Sequence, residues 1–94
     1  MYGTVARMRI KPNAEQKLMA WSQQQPVVAG QVATFVYRSD NDPREIWLSV
    51  VFESKEAYVA NANSPDQNER FMQMMQYLEA EPEWHDGEVI YAGS

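Results

Sequence analysis

Glu45-Ile46-Trp47-Leu48-Ser49-Val50-Val51-Phe52 is the stretch on which the fold turns. Ile46, Leu48, Val50 and Phe52 fall on one face of a period-2 alternation, Trp47 and Val51 on the other. A strand apolar on both faces is one that is covered on both sides. Upstream, Gln31 to Arg38 (QVATFVYR) is rich in β-formers and reads as another strand. The turn cluster Ser39-Asp40-Asn41-Asp42-Pro43 is all that separates the two, so they form a hairpin.

Working outward, Tyr2 to Ile10 alternates with Thr4, Ala6, Met8 and Ile10 on one face and Gly3, Val5, Arg7 and Arg9 on the other. It reads as the first strand, stopped by Lys11-Pro12-Asn13. Asn13 is expected to cap a helix from Ala14 to about Gln25, with Ala14, Leu18 and Trp21 as its apolar stripe and Pro26 as its end. Ser54 is expected to cap a second helix carrying Ala57, Tyr58, Ala60 and Asn61. Asn63-Ser64-Pro65-Asp66 interrupts it, and a third helix follows from about Gln67 to Ala80 with Phe71, Met74, Met75 and Leu78 as its stripe. His85-Asp86-Gly87 reads as a turn, and Glu88 to Ala92 as a short last strand.

The order β-α-β-β-α-α-β is a split βαβ, ferredoxin-like α+β arrangement with its second helix broken in two. All helices then cover one face of a four-stranded antiparallel sheet. The other face has no cover, so a monomer would leave one of the two apolar rows of the third strand in water, and a second copy packed sheet to sheet would cover it. A homodimer through the sheet face is therefore expected. Arg7 and Arg9 are discordant on a central strand and are expected at the rim, or paired with acids of the partner.

Composition narrows the function. The 94 residues, 45% hydrophobic and 22% charged, fit a single globular domain over residues 1–94. There is no cysteine and one histidine, which leaves no thiol chemistry and no His-rich metal site. The net charge of −5 argues against nucleic acid and against a basic membrane-binding surface. No signal peptide and no membrane-spanning run is read, so the cytoplasm is the expected compartment.

Four strings resemble the antibiotic biosynthesis monooxygenase (ABM) family of dimeric α/β barrels. They are Val5-Ala6-Arg7-Met8-Arg9-Ile10-Lys11-Pro12, Gly30 before the second strand, Val51-Phe52-Glu53-Ser54-Lys55-Glu56-Ala57-Tyr58, and Asn63-Ser64-Pro65 with Phe71. The resemblance covers nearly the whole chain and implies an ABM-like domain forming a dimeric α/β barrel. Many family members have tryptophan where this chain has Phe52, and histidine where it has Asn61. The family's haem-degrading members use an Asn, a Trp and a His. Their positions fall on Ala6, Asn61 and near Phe71, so haem degradation is not expected.

The resemblance implies a monooxygenase needing no metal or other cofactor, acting on an electron-rich phenol, anthrone or quinol. Once deprotonated, such a substrate can pass an electron to dioxygen. The protein supplies a dry pocket, a proton acceptor and hydrogen bonds to the anion. Asn61 and His85 are the catalytic candidates. Asn61 can orient a carbonyl or phenolate, and otherwise is a helix-end amide bonding local backbone. His85 is the only ready general base by its ordinary pKa, and otherwise a solvated turn residue. Tyr37, Trp47 and Tyr58 are amphipathic aromatics that either line a pocket or belong to the core.

A small aromatic ligand is expected between the sheet and the second and third helices, against Ala6, Met8, Tyr58, Phe71 and Met75. Packing between helix and sheet is the plainer role for Phe71 and Met75. A ligand-binding or structural dimer module without catalysis is the alternative function. The Asp40-Asn41-Asp42 run is a solvated hairpin tip, too short for a calcium loop.

Overall fold

The computed structural model describes residues 1–93. The elements are β1 (Tyr2–Arg9), α1 (Glu15–Gln23), β2 (Gln31–Arg38), β3 (Glu45–Phe52), α2 (Lys55–Ala62), α3 (Pro65–Met75) and β4 (Glu83–Glu88). The strands form one antiparallel sheet in the order β2-β3-β1-β4. This is the ferredoxin-like α+β architecture, with β1 and β3 central as their sequences require.

Residues directly opposite in neighbouring strands share a face. Trp84, Ala6, Leu48 and Val36 therefore make one row across the sheet, and Asp86, Thr4, Val50 and Thr34 the next, both under the helices. Arg7, Trp47 and Tyr37 make a row on the opposite face, as do His85, Val5, Ser49 and Phe35. The core sits on the helix side. Ala6, Met8, Ile10, Leu18, Ile46 and Leu78 are buried there, with Met19, Trp21, Leu48, Met74, Met75 and Tyr77 packed against them. The open face leaves Val5, Phe35 and Tyr37 exposed.

Helix boundaries follow local chemistry. The Ser54 hydroxyl accepts from the Ala57 amide at 3.1 Å and starts α2, and Ser64 does the same for Gln67 at 3.1 Å in α3. Pro65 at the start of α3 needs no amide partner there. The break between the two helices is thus a second helix start, and α3 begins at Pro65 rather than Gln67.

Four expectations are corrected. Asn13 does not cap α1: it sits at φ 62°, a left-handed conformation that Asn tolerates, and no side chain caps that helix. The helix spans Glu15–Gln23 instead, and Arg38 grips Glu15 in its first turn through Nε and Nη2 at 2.5 and 2.8 Å. The third helix stops at Met75, not Ala80, because the following backbone is drawn onto the end of β1. There Lys11 donates to Tyr77 O and Glu79 donates to Arg9 O, both at 2.9 Å.

The last strand is Glu83–Glu88 rather than Glu88–Ala92. His85-Asp86-Gly87 lies inside it, because pairing with the central strand β1 outweighs the local turn signal; Gly87 faces Gly3 in that ladder. Finally, Arg7 and Arg9 find acids within their own chain. Arg7 bonds Glu45 at 2.9 Å, and Arg9 pairs with Asp42 and, at 3.2 Å, with Glu79.

Candidate functional site

The rows under the helices end in a cleft, because the helices do not cover the sheet evenly. α1 and the end of α3 close over Met8, Ile10 and Ile46, whereas Thr4, Val50 and Phe52 lie below the gap where α2 gives way to α3. Two connected lobes result. One, of about 520 Å³, extends under Trp21, Gln25 and the 26–28 loop. The other, of about 450 Å³, extends towards Tyr58, Trp84 and Asp86. They share a sheet floor of Leu48, Val50 and Phe52 and a helix wall of Asn61, Gln67, Phe71 and Met74. Cavities of this size and apolar character suit a small organic ligand.

The polar groups are few and convergent. Asn61 borders both lobes, and its Oδ1 accepts from Arg70 Nη2 at 3.3 Å. That leaves the amide NH2 as the group Asn61 can offer a ligand oxygen. Arg70 also donates from Nε and Nη2 to Gln67 Oε1, at 3.2 and 3.0 Å. In the other lobe Tyr58 donates to Asp86 Oδ1 at 2.9 Å. Its ring meets Phe52 nearly edge-on, with centroids 5.6 Å apart, and Phe71 lies against Trp84 at 6.2 Å.

Burial, and then the Asp86 carboxylate, push the Tyr58 phenol up to about 12. The Thr4 hydroxyl beside the phenol pulls the other way. Thr4 Oγ1 is fully buried and, among the described residues, makes no well-formed hydrogen bond.

The structure divides the sequence candidates. Asn61, Tyr58 and Phe71 meet at the cleft. Ala6 and Met8 are on the same side of the sheet, but at 0% and 4% exposure they are covered core rather than cleft wall. Met75 also packs into the core, and its neighbour Met74 is the methionine that lines both lobes. Tyr37 and Trp47 stand on the open face of the sheet, opposite the cleft.

His85 shares that open face: it pairs across from Val5, and its Nε2 meets Glu83 Oε1 at 2.8 Å. It cannot reach a ligand held beside Asn61 in the same chain. Reading His85 as part of a turn lost the strand phase that separates it from Trp84 and Asp86.

Among the cleft residues that the sequence reading did not name as site candidates are Thr4, Gln67, Arg70 and Asp86. A signal for two of them was present. Gln67, Arg70, Phe71 and Met74 recur at helical spacing, so the polar pair rides the edge of the apolar stripe. Among the described residues no group of three or more His, Asp or Glu is placed to hold a metal, and no helix is long and apolar enough to cross a membrane.

Fold and cleft define a class: a small α+β protein with a ligand-sized space between an antiparallel sheet and its helices. Solved structures with this fold put names beside that class. A provisionally assigned antibiotic biosynthesis monooxygenase of Chloroflexus aurantiacus superposes with a TM-score of 0.80 at 22% identity, over 99% of this chain and 96% of that one. Another from Bordetella bronchiseptica gives 0.80 at 19% identity, over 96% and 97%. A mutant of SnoaB, a cofactor-independent oxygenase from Streptomyces nogalater, gives 0.72 at 12% identity, over 97% and 94%. No family model and no curated protein matches the chain. The chain has the fold of the antibiotic biosynthesis monooxygenases, as its four sequence strings led one to expect.

Proposed function

We propose that this chain is an ABM-type cofactor-independent monooxygenase, acting in the cytoplasm on a small aromatic phenol, anthrone or quinol held in the helix-side cleft. The observation that carries the reading is a small polar set bordering an apolar cleft: the free Asn61 amide on its wall and the Asp86 carboxylate at its rim. A flat, mostly apolar ligand with one or two oxygens meets both needs. The solved relatives of this fold that are described as monooxygenases support the chemistry.

In this reading the substrate carries the redox chemistry. Its acidic C–H or O–H proton passes to the Asp86 carboxylate, the acid that borders the cleft, in the role first assigned to His85. The Asn61 amide holds the resulting anion by its oxygen. The anion gives one electron to dioxygen, and the radical pair joins as a peroxide. The peroxide takes the proton back from Asp86, and loss of water then converts the CH2 of an anthrone to C=O, so one dioxygen is consumed and one water released. Apolar walls keep bulk water from the anion.

We also propose that two copies pack through their open sheet faces. Phe35 and Tyr37 are 57% and 58% exposed there, beside Trp47 and Val51, and burial of such a patch is favourable.

The test combines oxygen uptake with ligand binding read by quenching of Trp21 and Trp84, which border the cleft. The parent should consume one dioxygen per anthrone oxidised. Asn61→Leu should bind a hydroxyquinone roughly 3- to 10-fold more weakly, the worth of one hydrogen bond. Tight binding with no oxygen uptake for any of a panel of anthrones and quinols would overturn the catalytic reading. Equal binding by the variant would remove Asn61 from the site.

A further inference from the structure

We infer that the cleft selects aromatic ligands bearing a carboxylate, and that Arg70 is the residue that selects them. The inference rests on the cleft being a ligand site. Its own basis is a charge left over. Arg7, Arg9, Arg38 and Arg44 each hold a carboxylate of their own chain. Arg70, among the described residues, has no carboxylate within 4.0 Å. It is nevertheless half-buried at the cleft wall in a chain of net charge −5, where an acid partner would have been easy to supply.

The guanidinium is held in place by neutral groups. Nε and Nη2 both donate to Gln67 Oε1, and Nη2 makes a longer contact to Asn61 at 3.3 Å. Nη1 makes no hydrogen bond among the described residues, so its two N–H groups are free. Two amide side chains thus orient a planar cation without neutralising it. Glu53 and Asp66 border the outer mouth of the cleft beside Arg70, but neither pairs with it. The two N–H groups of Nη1 remain to donate and the guanidinium keeps its full charge, so a carboxylate, the stronger and charged acceptor, is favoured over a neutral oxygen. Partial burial also shields such a pair from salt more than a surface pair. The aromatic body of the ligand would lie over Val50 and Phe52, with its acid group turned to the α2–α3 side.

The experiment compares naphthoate with its neutral isostere naphthamide, using tryptophan quenching of the parent, Arg70→Gln and Arg70→Lys. The parent should bind naphthoate about tenfold or more tightly than naphthamide, the usual margin of a hydrogen bond to a charged group. Arg70→Gln should bring naphthoate down to the amide's level and leave the amide unchanged. Arg70→Lys should keep only part of the preference, because it keeps the charge but loses the paired Gln67 contacts that hold the guanidinium in place. If the parent binds both probes equally, or Arg70→Gln keeps the preference, the selection by Arg70 is wrong while the cleft stands as a ligand site. If the parent binds neither probe, the inference falls, and binding of an uncharged hydroxyquinone shows whether the cleft reading falls with it.

Discussion

Gly30→Ala should be among the most costly single-methyl additions in this chain, and the cost can be worked from two separate causes. Gly30 sits at φ +81°, where an L side chain is strained by roughly 1–2 kcal/mol. A Cβ built there would also lie 2.7 Å from the Ala57 Cβ. That neighbour is not the far end of a flexible chain. It is fixed to the first turn of α2, so the whole turn must move, at about 1–3 kcal/mol for overpacking. The Gly30 carbonyl meanwhile accepts from the Glu53 amide at 2.8 Å, which limits how far the two segments can part. The sum is roughly 2–5 kcal/mol, out of a total near 5–15 for a domain of this size. Urea unfolding at fixed protein concentration should show a midpoint lower by roughly 1–3 M. A second change separates the causes. Ala57→Gly alone should cost about 1 kcal/mol in helix propensity. Combined with Gly30→Ala it should remove the overlap, so the double variant should be more stable than the two single costs added together by about 1–3 kcal/mol. Additivity within about 0.5 kcal/mol would mean that the close approach is not there, and the argument would fail.

The remaining predictions are briefer. Ile46→Ala, at 2% exposure in the core, should cost about 2–5 kcal/mol, and His85→Ala, on the open sheet face, less than about 0.5; urea midpoints in the reverse order would show the core to be misassigned. Sedimentation equilibrium at micromolar concentration should give a dimeric mass for the parent and a monomeric one for Tyr37→Glu, which buries a charge in the proposed sheet-to-sheet interface; a monomeric parent would refute it. Phenolate absorbance should show Tyr58 titrating at about 12, and Asp86→Asn should lower it by removing the acceptor charge. Because the folded value lies above the unfolded one near 10, the stability Tyr58 contributes is whole below about pH 10 and is lost as pH rises through about 12. Tyr58→Phe should make that decline shallower, and an unchanged slope would count against the assignment.

Much of the fold was legible because it is written in period 2 and period 3.6. β1 and β3 announce their faces by alternation, and Ser54 marks a helix start by a local hydrogen bond that depends on a few residues only; Ser64 makes the same bond, but within a stretch that reads as an interruption. What was illegible depended on contacts distant in sequence. Nothing local says that Tyr77 and Glu79 will bond the end of β1, which is why the third helix was read too long. Nothing local says that Asp86 and Gly87 will be held extended by Thr4 and Gly3. That second miss had the larger consequence, since a strand read as a turn has no faces. His85 could then be imagined in the cleft, while Asp86, which is there, was passed over. Tyr37 and Trp47 were misassigned differently. Their alternation was correct, but sequence does not say which face of a two-sided apolar strand the helices will cover.

The two faces of the sheet differ in how they treat charge, and the difference bears on what each is for. On the open face Arg7 is answered by Glu45, and Arg9 by Asp42 and Glu79, all within one chain. A second copy packing there would meet aromatic and aliphatic surface with its charges already paired, and would pay little desolvation for unpaired ions. On the helix side the pattern reverses. Leu48, Val50, Phe52 and Phe71 make an apolar cleft, yet among the described residues the Asn61 amide NH2 has no acceptor and Arg70 has no acid. Unpartnered polar groups beside an apolar cavity reduce stability, and a chain of this size has little stability to spare. Neither is needed by the packing, since apolar residues of similar volume would serve the core better. Their presence at the one place where the helices part is accounted for by a ligand that meets both, apolar over most of its area and carrying oxygens at its edges.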